Sequence, residues 1–201
     1  ISLIIPCYNC EKYLRAALDS VYNQSYGNWE CVIVDDGSED NSREIIETFV
    51  KMDQRFRYYY QNNVGPCIAR NLGIKESKGE FIQFLDSDDM IEKEKFIRQL
   101  EIFRDSPSCD LVYGDMSYFS IMPDGQMELK EEDEKYWKKG KISGEGDVLI
   151  QILLQGNIMV INSPLIKRVA FDQIGLFDEK ILFNEDWDMW MRFAIGGLLF
   201  K

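Results

Sequence analysis

Cys31-Val32-Ile33-Val34-Asp35-Asp36-Gly37-Ser38 decides the fold. Four apolar residues in a row, two of them valine and one isoleucine, stop abruptly at an acidic turn. An unbroken apolar run of this length reads as a strand covered on both faces, as in a parallel sheet. The same pattern recurs on either side. Upstream, Ser2-Leu3-Ile4-Ile5 is a buried strand that Pro6 is expected to stop. Downstream, Tyr58-Tyr59-Tyr60 belongs to a third strand, and Phe81-Ile82-Gln83-Phe84-Leu85 to a fourth that ends in Asp86-Ser87-Asp88-Asp89. Helical patterns fill the gaps. Leu14, Leu18, Val21 and Tyr22 form one stripe; Ile45, Ile46, Phe49 and Val50 form a second; Ile68 to Ile74 makes a third helix. Strand-helix alternation of this kind predicts an α/β fold, Rossmann-like, with a mostly parallel central sheet and helices on both faces. Ligands of such sheets bind beyond the carboxyl ends of the strands. Tyr8-Asn9, Asp35-Asp36 and Asp86-Asp88 stand at three of those ends.

The second half is less regular. A helix is expected over residues 94–103, a strand at Leu111-Val112-Tyr113 and a helix over 147–155. Pro123-Asp124-Gly125 is a turn signal closing a hairpin, and residues 128–141 form a charge-dense, solvated or mobile segment. Gly196 to Phe200 looks like the start of another strand. We expect a single domain over 1–201, with a C-terminal portion absent.

Bulk properties narrow the function. The 201 residues suffice for a core without disulfides, with 45% hydrophobic and 13% aromatic residues. A net charge of −12 argues against nucleic acid as a partner. The five cysteines are scattered; Cys7 and Cys10 have CxxC spacing but no second pair or histidine completes a zinc site. Reduced thiols are the expectation over a redox pair. There is no histidine, so a general base must be a carboxylate or, less readily, a Lys, Tyr or Cys. Oxygen ligands suit Mg²⁺ or Mn²⁺ better than zinc. No apolar run reaches the length of a membrane span.

Each chemical candidate has a plain structural reading beside it. Asp86, Asp88 and Asp89 crowd one strand end, where like charges repel unless a cation sits among them; a surface turn with a helix cap explains them equally. No P-loop or GxGxxG fingerprint is present, so a nucleotide bound here would need a cation against its phosphates. Asp35 and Asp36 can accept from a base N–H or a ribose hydroxyl, or simply organise a turn. Tyr8 is a candidate to stack on a base, or a rim aromatic; Arg70 is a candidate ligand contact, or an ordinary ion pair. Glu185-Asp186 opens a helix whose face carries Trp187, Trp190, Met191 and Ala194. These carboxylates either favour the helix dipole or include a general base beside aromatics lining an acceptor pocket.

Taken together and in order, these segments resemble family-2 glycosyltransferases, inverting and non-processive, of the GT-A fold. The resemblance rests on residues 1–9, on Val32 to Ser38 with Asp40, on Asn63, Gly65, Ala69-Arg70-Asn71 and Gly73, on Phe84 to Asp89 as a D-x-D motif, and on Glu185-Asp186 with Trp190 as an ED motif. It implies a nucleotide-sugar-binding half over 1–115 and an acceptor-binding half over 116–201. Pro6, Tyr8, Asn9, Asp35, Asp36 and Arg70 would surround the nucleoside. Asp86 would reach the ribose or the metal, and Asp88 would ligate Mn²⁺ or Mg²⁺ across the diphosphate of a donor, expected to be a UDP-sugar. Asp186 would be the base, with Glu185 and Trp190 at the acceptor, expected to be a glycan or lipid-linked glycan. The processive members' Q-x-x-R-W signature does not follow Glu185-Asp186, which disfavours a polymer synthase. The family context implies bacterial envelope polysaccharide synthesis in the cytoplasm, with peripheral association at the inner face of the membrane. The alternative, a nucleotide-sugar or metal-binding domain without turnover, needs the Asp36 and Asp88 regions but not Asp186.

Overall fold

The computed structural model describes residues 1–121, 127–129 and 143–201. Its elements run β1 (Ser2–Cys7), α1 (Leu14–Tyr22), β2 (Glu30–Asp35), α2 (Ser42–Met52), β3 (Phe56–Tyr60), α3 (Pro66–Glu76), β4 (Phe81–Phe84), α4 (Lys95–Asp105), β5 (Leu111–Val112), β6 (Phe119–Ile121), β7 (Met127–Leu129), α5 (Gly146–Leu153), β8 (Leu165–Lys167), α6 (Arg168–Ile174) and α7 (Glu185–Ile195). Six strands form one sheet in the order β3-β2-β1-β4-β8-β5. The first four are mutually parallel, with Ile4 opposite both Val32 and Phe84. β8 enters antiparallel between β4 and β5.

Alternation along the strands explains why helices cover both faces. Leu3, Ile5, Cys7, Cys31 and Ile33 point into a core shared with α1, α2 and α4, which supply Leu14, Leu18, Phe49, Phe96 and Phe103. The intervening residues point the other way. Ile4, Ile82, Phe84 and Ile166 meet α3, α5, α6 and α7 through Ile74, Leu149, Phe171, Trp190 and Phe193. Each such fully buried side chain contributes about 1.5–3 kcal/mol relative to exposure. α3 lies so close on β1 that a Cβ at Gly73 would sit 2.3 Å from Ile4 Cγ2. Only a residue without a side chain fits there.

Two expectations about local structure are corrected. β1 does not stop at Pro6; it continues through Cys7, with Pro6 opposite Val34. The Leu85 amide donates to the Ile4 carbonyl, so Ile4 and, two residues on, Pro6 present their backbone towards β4, whose pairing ends at Phe84. The amide hydrogen that Pro6 lacks therefore costs at most the last rung of the ladder with β4. Tyr22 is exposed, and Ala17 takes its place in the buried stripe of α1. In the second half, β6 and β7 pair as a hairpin, while the turn at Pro123-Asp124-Gly125 lies outside the described residues. Of the segment 128–141, only Glu128 and Leu129, in β7, are described. Phe200 bridges to Leu111 beside β5, where another strand was expected. All five cysteines are free, and burial pushes the Cys7 thiol up to about 12, which keeps it protonated.

Candidate active site

Because β1 lies between β2 and β4, the carboxyl ends of these three strands converge. Beyond β1, Tyr8 is 48% exposed and Asn9 adopts a left-handed backbone (φ 49°). The Asn9 side chain accepts from the Glu39 amide at 2.8 Å, and its own amide donates to Ser38 Oγ at 3.0 Å. Cys10 and Glu11 amides donate to Ser42 Oγ and Asp40 Oδ2. The loops after β1 and β2 are thus stitched together.

Asp35 and Asp36 are both buried, and protein donors already engage them. Asp35 accepts from the Ser38 amide (2.8 Å) and the Tyr58 hydroxyl (3.0 Å). Asp36 accepts from Gln61 Nε2 and the Val64 amide through one oxygen and from the Gly65 amide through the other, at 2.8–2.9 Å. Asp36 therefore fixes the loop leading into α3, and a base N–H would have to share its remaining lone pairs. Gly37 (φ +83°) makes this possible, since a Cβ there would lie 2.9 Å from the Asn63 backbone nitrogen.

The Arg70 guanidinium is buried, donating to Asp86 Oδ1 at 2.9 Å and to Glu185 Oε1 at 2.7 Å. The Phe177 ring lies 5.7 Å below it. Arg70 Nε is buried with no partner among the described residues. This one side chain joins the end of β4 to the start of α7, and so the two halves of the sequence. Asn71 fastens the same join: it donates to the Phe177 carbonyl and accepts from the Phe177 amide.

At the end of β4, Asp86 keeps 34% of its side chain exposed, yet burial pushes its carboxyl above the ordinary range, against the pull of Arg70. Asp88 is exposed. Burial, with Asp86 and Asp88 nearby, also raises Asp89, whose carboxylate is taken by Asn162. Among the described residues no group of three or more Cys, Asp or Glu is spaced to hold a metal unaided. Mg²⁺-like cations beside nucleotides take one or two carboxylates and draw their other ligands from phosphates and water, and Asp86 and Asp88 fit that donor set.

Asp186 lies in the first turn of α7, beside Glu185 and Asp188, where the helix dipole favours carboxylates. It accepts from Asn157 Nδ2 at 2.9 Å and from the Trp187 amide at 2.7 Å, and burial raises its pKa. A carboxyl so placed holds a proton more readily than an ordinary surface aspartate. The aromatic wall expected beside it is corrected. Trp190 is fully buried against Phe193, and Trp187 turns its Nε1 to the Leu153 carbonyl. The exposed apolar residues at this helix start are Leu182 and Phe183, at 78% and 82%. Asn157 and Asn162 escaped the sequence reading; polar residues interrupting the apolar run Ile158-Met159-Val160-Ile161 are the signal that would have found them. No described helix is long and apolar enough to cross a membrane.

The chain matches the family model "Glycosyl transferase family 2" over residues 2–164. An uncharacterized glycosyltransferase of Rickettsia bellii is 33% identical over 200 residues, 99% of this chain and 27% of that protein. The chain spans less than two thirds of the length of the curated relatives it matches. Among solved structures, S. aureus TarS 1–349 in complex with UDP superposes with TM-score 0.75 at 24% identity, covering 100% of this chain and 57% of that one. A Pyrobaculum calidifontis mannosyltransferase in complex with GDP-Man and Mn²⁺ superposes with TM-score 0.72 at 16% identity, covering 99% and 53%. The sheet order, with β8 inserted antiparallel, is therefore that of a GT-A fold, and the chain belongs to glycosyl transferase family 2.

Proposed function

We propose that this chain is the catalytic domain of an inverting, non-processive glycosyltransferase that moves a sugar from a nucleotide-diphosphate donor, in the first place a UDP-sugar, to an acceptor hydroxyl. The observation that carries this reading is Arg70, which draws Asp86 and Glu185 onto one guanidinium and so brings the segments read as D-x-D and ED motifs side by side. The donor lies across residues 1–115, with Tyr8 and the Asp35–Asp36 loop at the base. Asp86 and Asp88 hold Mn²⁺ or Mg²⁺ with the diphosphate. When bound, the cation supplies positive charge where negative charge grows on the leaving group. Asp186 takes the acceptor proton as the hydroxyl oxygen bonds to the anomeric carbon and the bond to the diphosphate breaks. One displacement inverts the anomeric configuration. The acceptor, a glycan or lipid-linked glycan, approaches from 116–201, and the work is done at the cytoplasmic face of the membrane.

The mannosyltransferase neighbour's Mn²⁺ and the nucleotide complexes of both neighbours support the donor half of this reading. Calorimetric titration with UDP, in Mn²⁺ and then in EDTA, tests it alongside Asp88→Ala. Binding that requires both Mn²⁺ and Asp88 is expected. Silence with UDP, GDP and dTDP alike would overturn the donor site.

A further inference from the structure

One loop, residues 154–164 between α5 and β8, reaches both carboxylate centres. Near its start, Asn157 Nδ2 donates to Asp186 Oδ2 at 2.9 Å while its Oδ1 faces the Met159 amide at 3.4 Å. Near its end, Asn162 Oδ1 accepts from the Asp86 amide at 2.7 Å, and its Nδ2 donates to the Asp89 carboxylate. The Asn162 carbonyl accepts from Gln83 Nε2, in β4 three residues before Asp86, at 2.8 Å. Each amide has only one orientation that satisfies its partners, because a carboxylate cannot donate and a backbone N–H cannot accept.

The loop is anchored between these contacts. Met159 and Ile161 are buried in the core, leaving the two asparagines to face the site. Ser163 closes the anchor: its carbonyl accepts from Lys95 Nζ and from Gln99 Nε2, and its hydroxyl exchanges hydrogen bonds with the Gly114 backbone. Helix α4 and the chain just beyond β5 therefore hold the asparagines in place.

We propose that this loop is the positioning element of the site. Asn157 orients the Asp186 carboxylate for proton transfer, and Asn162 aims Asp86 while drawing Asp89 away from the cation. Asp86 and Asp88 are thereby left as the cation's two carboxylates. The inference rests on the transferase reading above, and its two halves fail separately from that reading.

The charged neighbours of Asp186 are Glu185 on its own helix, which raises its pKa, and Arg70 on α3, which lowers it; both remain in an Asn157→Ala variant. A donated hydrogen bond favours the ionised carboxylate, so its loss moves the titration upward. The test has two arms. In the first, the Asp186 carboxyl is titrated by ¹³C NMR, its resonance identified with Asp186→Asn, in wild type and Asn157→Ala. An upward move of about one pH unit, a tenfold change in proton affinity, is expected. No move overturns the Asn157 half. In the second, Asn162→Ala is titrated with UDP in Mn²⁺ and in EDTA. A loss of roughly tenfold or more in UDP affinity in Mn²⁺ is expected for Asn162→Ala, with Asn157→Ala unchanged there. Equal losses in both variants that follow their melting temperatures would mark the loop as merely structural and overturn the proposal. Where wild type itself binds no UDP in Mn²⁺, the donor reading fails and takes the Asn162 half with it, while the carboxyl titration still decides the Asn157 half.

Discussion

Replacing Arg70 with methionine removes the guanidinium while keeping most of the stem. Arg70 has 5% of its side chain exposed, and Glu185, one of its two partners, has 18%. Removing one member of a buried ion pair costs about 3–5 kcal/mol, because the remaining charge stays desolvated and unpaired. Asp86 retains a third of its surface in water, which screens its share of the loss. We therefore expect the low end, about 3 kcal/mol at pH 8. For a protein of this size that is a fall of about 6–12 °C in melting temperature. The pH dependence separates this cause from simple loss of packing. Asp86 already lies above its ordinary range through burial, and without the opposing pull of Arg70 its carboxyl rises further. A carboxyl raised above its unfolded value costs stability while ionised, and that cost fades as pH falls through the raised value. The deficit of Arg70→Met should thus shrink between pH 8 and pH 5. Paired urea and thermal unfolding at the two pH values measures it. A deficit below about 1 kcal/mol at pH 8, or one that acidification leaves unchanged, would refute the reasoning.

Asp186→Asn should slow donor turnover by roughly 10²–10⁴-fold while sparing Mn²⁺-dependent UDP binding; undiminished hydrolysis of a UDP-sugar would remove Asp186 from the role of base. Asp36→Asn puts an amide NH₂ where two oxygens now face three donors, so at least one buried N–H loses its acceptor. Urea titration should show a loss of about 1–3 kcal/mol, and an unchanged midpoint would mean that the loop before α3 holds without Asp36. Gly73→Ala forces a Cβ against Ile4 Cγ2 and should cost about 1–3 kcal/mol. Adding Ile4→Ala should then cost less than Ile4→Ala alone; strict additivity of the two would contradict the contact.

The parallel half of the sheet was legible because its strands are short apolar or aromatic runs, two of them ending in turn-forming carboxylates, and the helices between them carry apolar residues at helical spacing. What failed there failed for local reasons. Pro6 is a strand breaker only where its backbone faces a partner, and the early end of β4 leaves at most the last rung of that ladder. Tyr22 has the right spacing for the stripe, but its polar hydroxyl makes exposure at the helix end cheap. β8 left no trace: Leu165-Ile166-Lys167, between Pro164 and Arg168, is too short for any periodicity to declare itself. At the site, the carboxylates were visible as clusters of like charge, whereas their partners were not. The family resemblance marked Arg70 as a donor-site residue, but only the register of α3 shows that it pairs with both Asp86 and Glu185. Trp190 was read as a pocket wall because aromatic residues suit sugars, but its helix face packs into the core. The asparagines at 157 and 162 carry no motif, and only the folded loop relates them to the acids they hold.

The late insertion of β8 also has a consequence for biosynthesis. β4 finds its second neighbour only when Leu165 emerges, about eighty residues after Gln83 has been made. At about 5–20 residues per second, translation leaves that flank open for about 4–16 s. During that interval the nascent chain has most of its parallel sheet but shows an unpaired rim of backbone donors and acceptors beside Ile82 and Phe84, an invitation to associate with neighbouring chains. The order in which this sheet is assembled therefore makes it a natural client for chaperones that shelter growing polypeptides, and a slowed ribosome over residues 85–165 should raise the insoluble fraction.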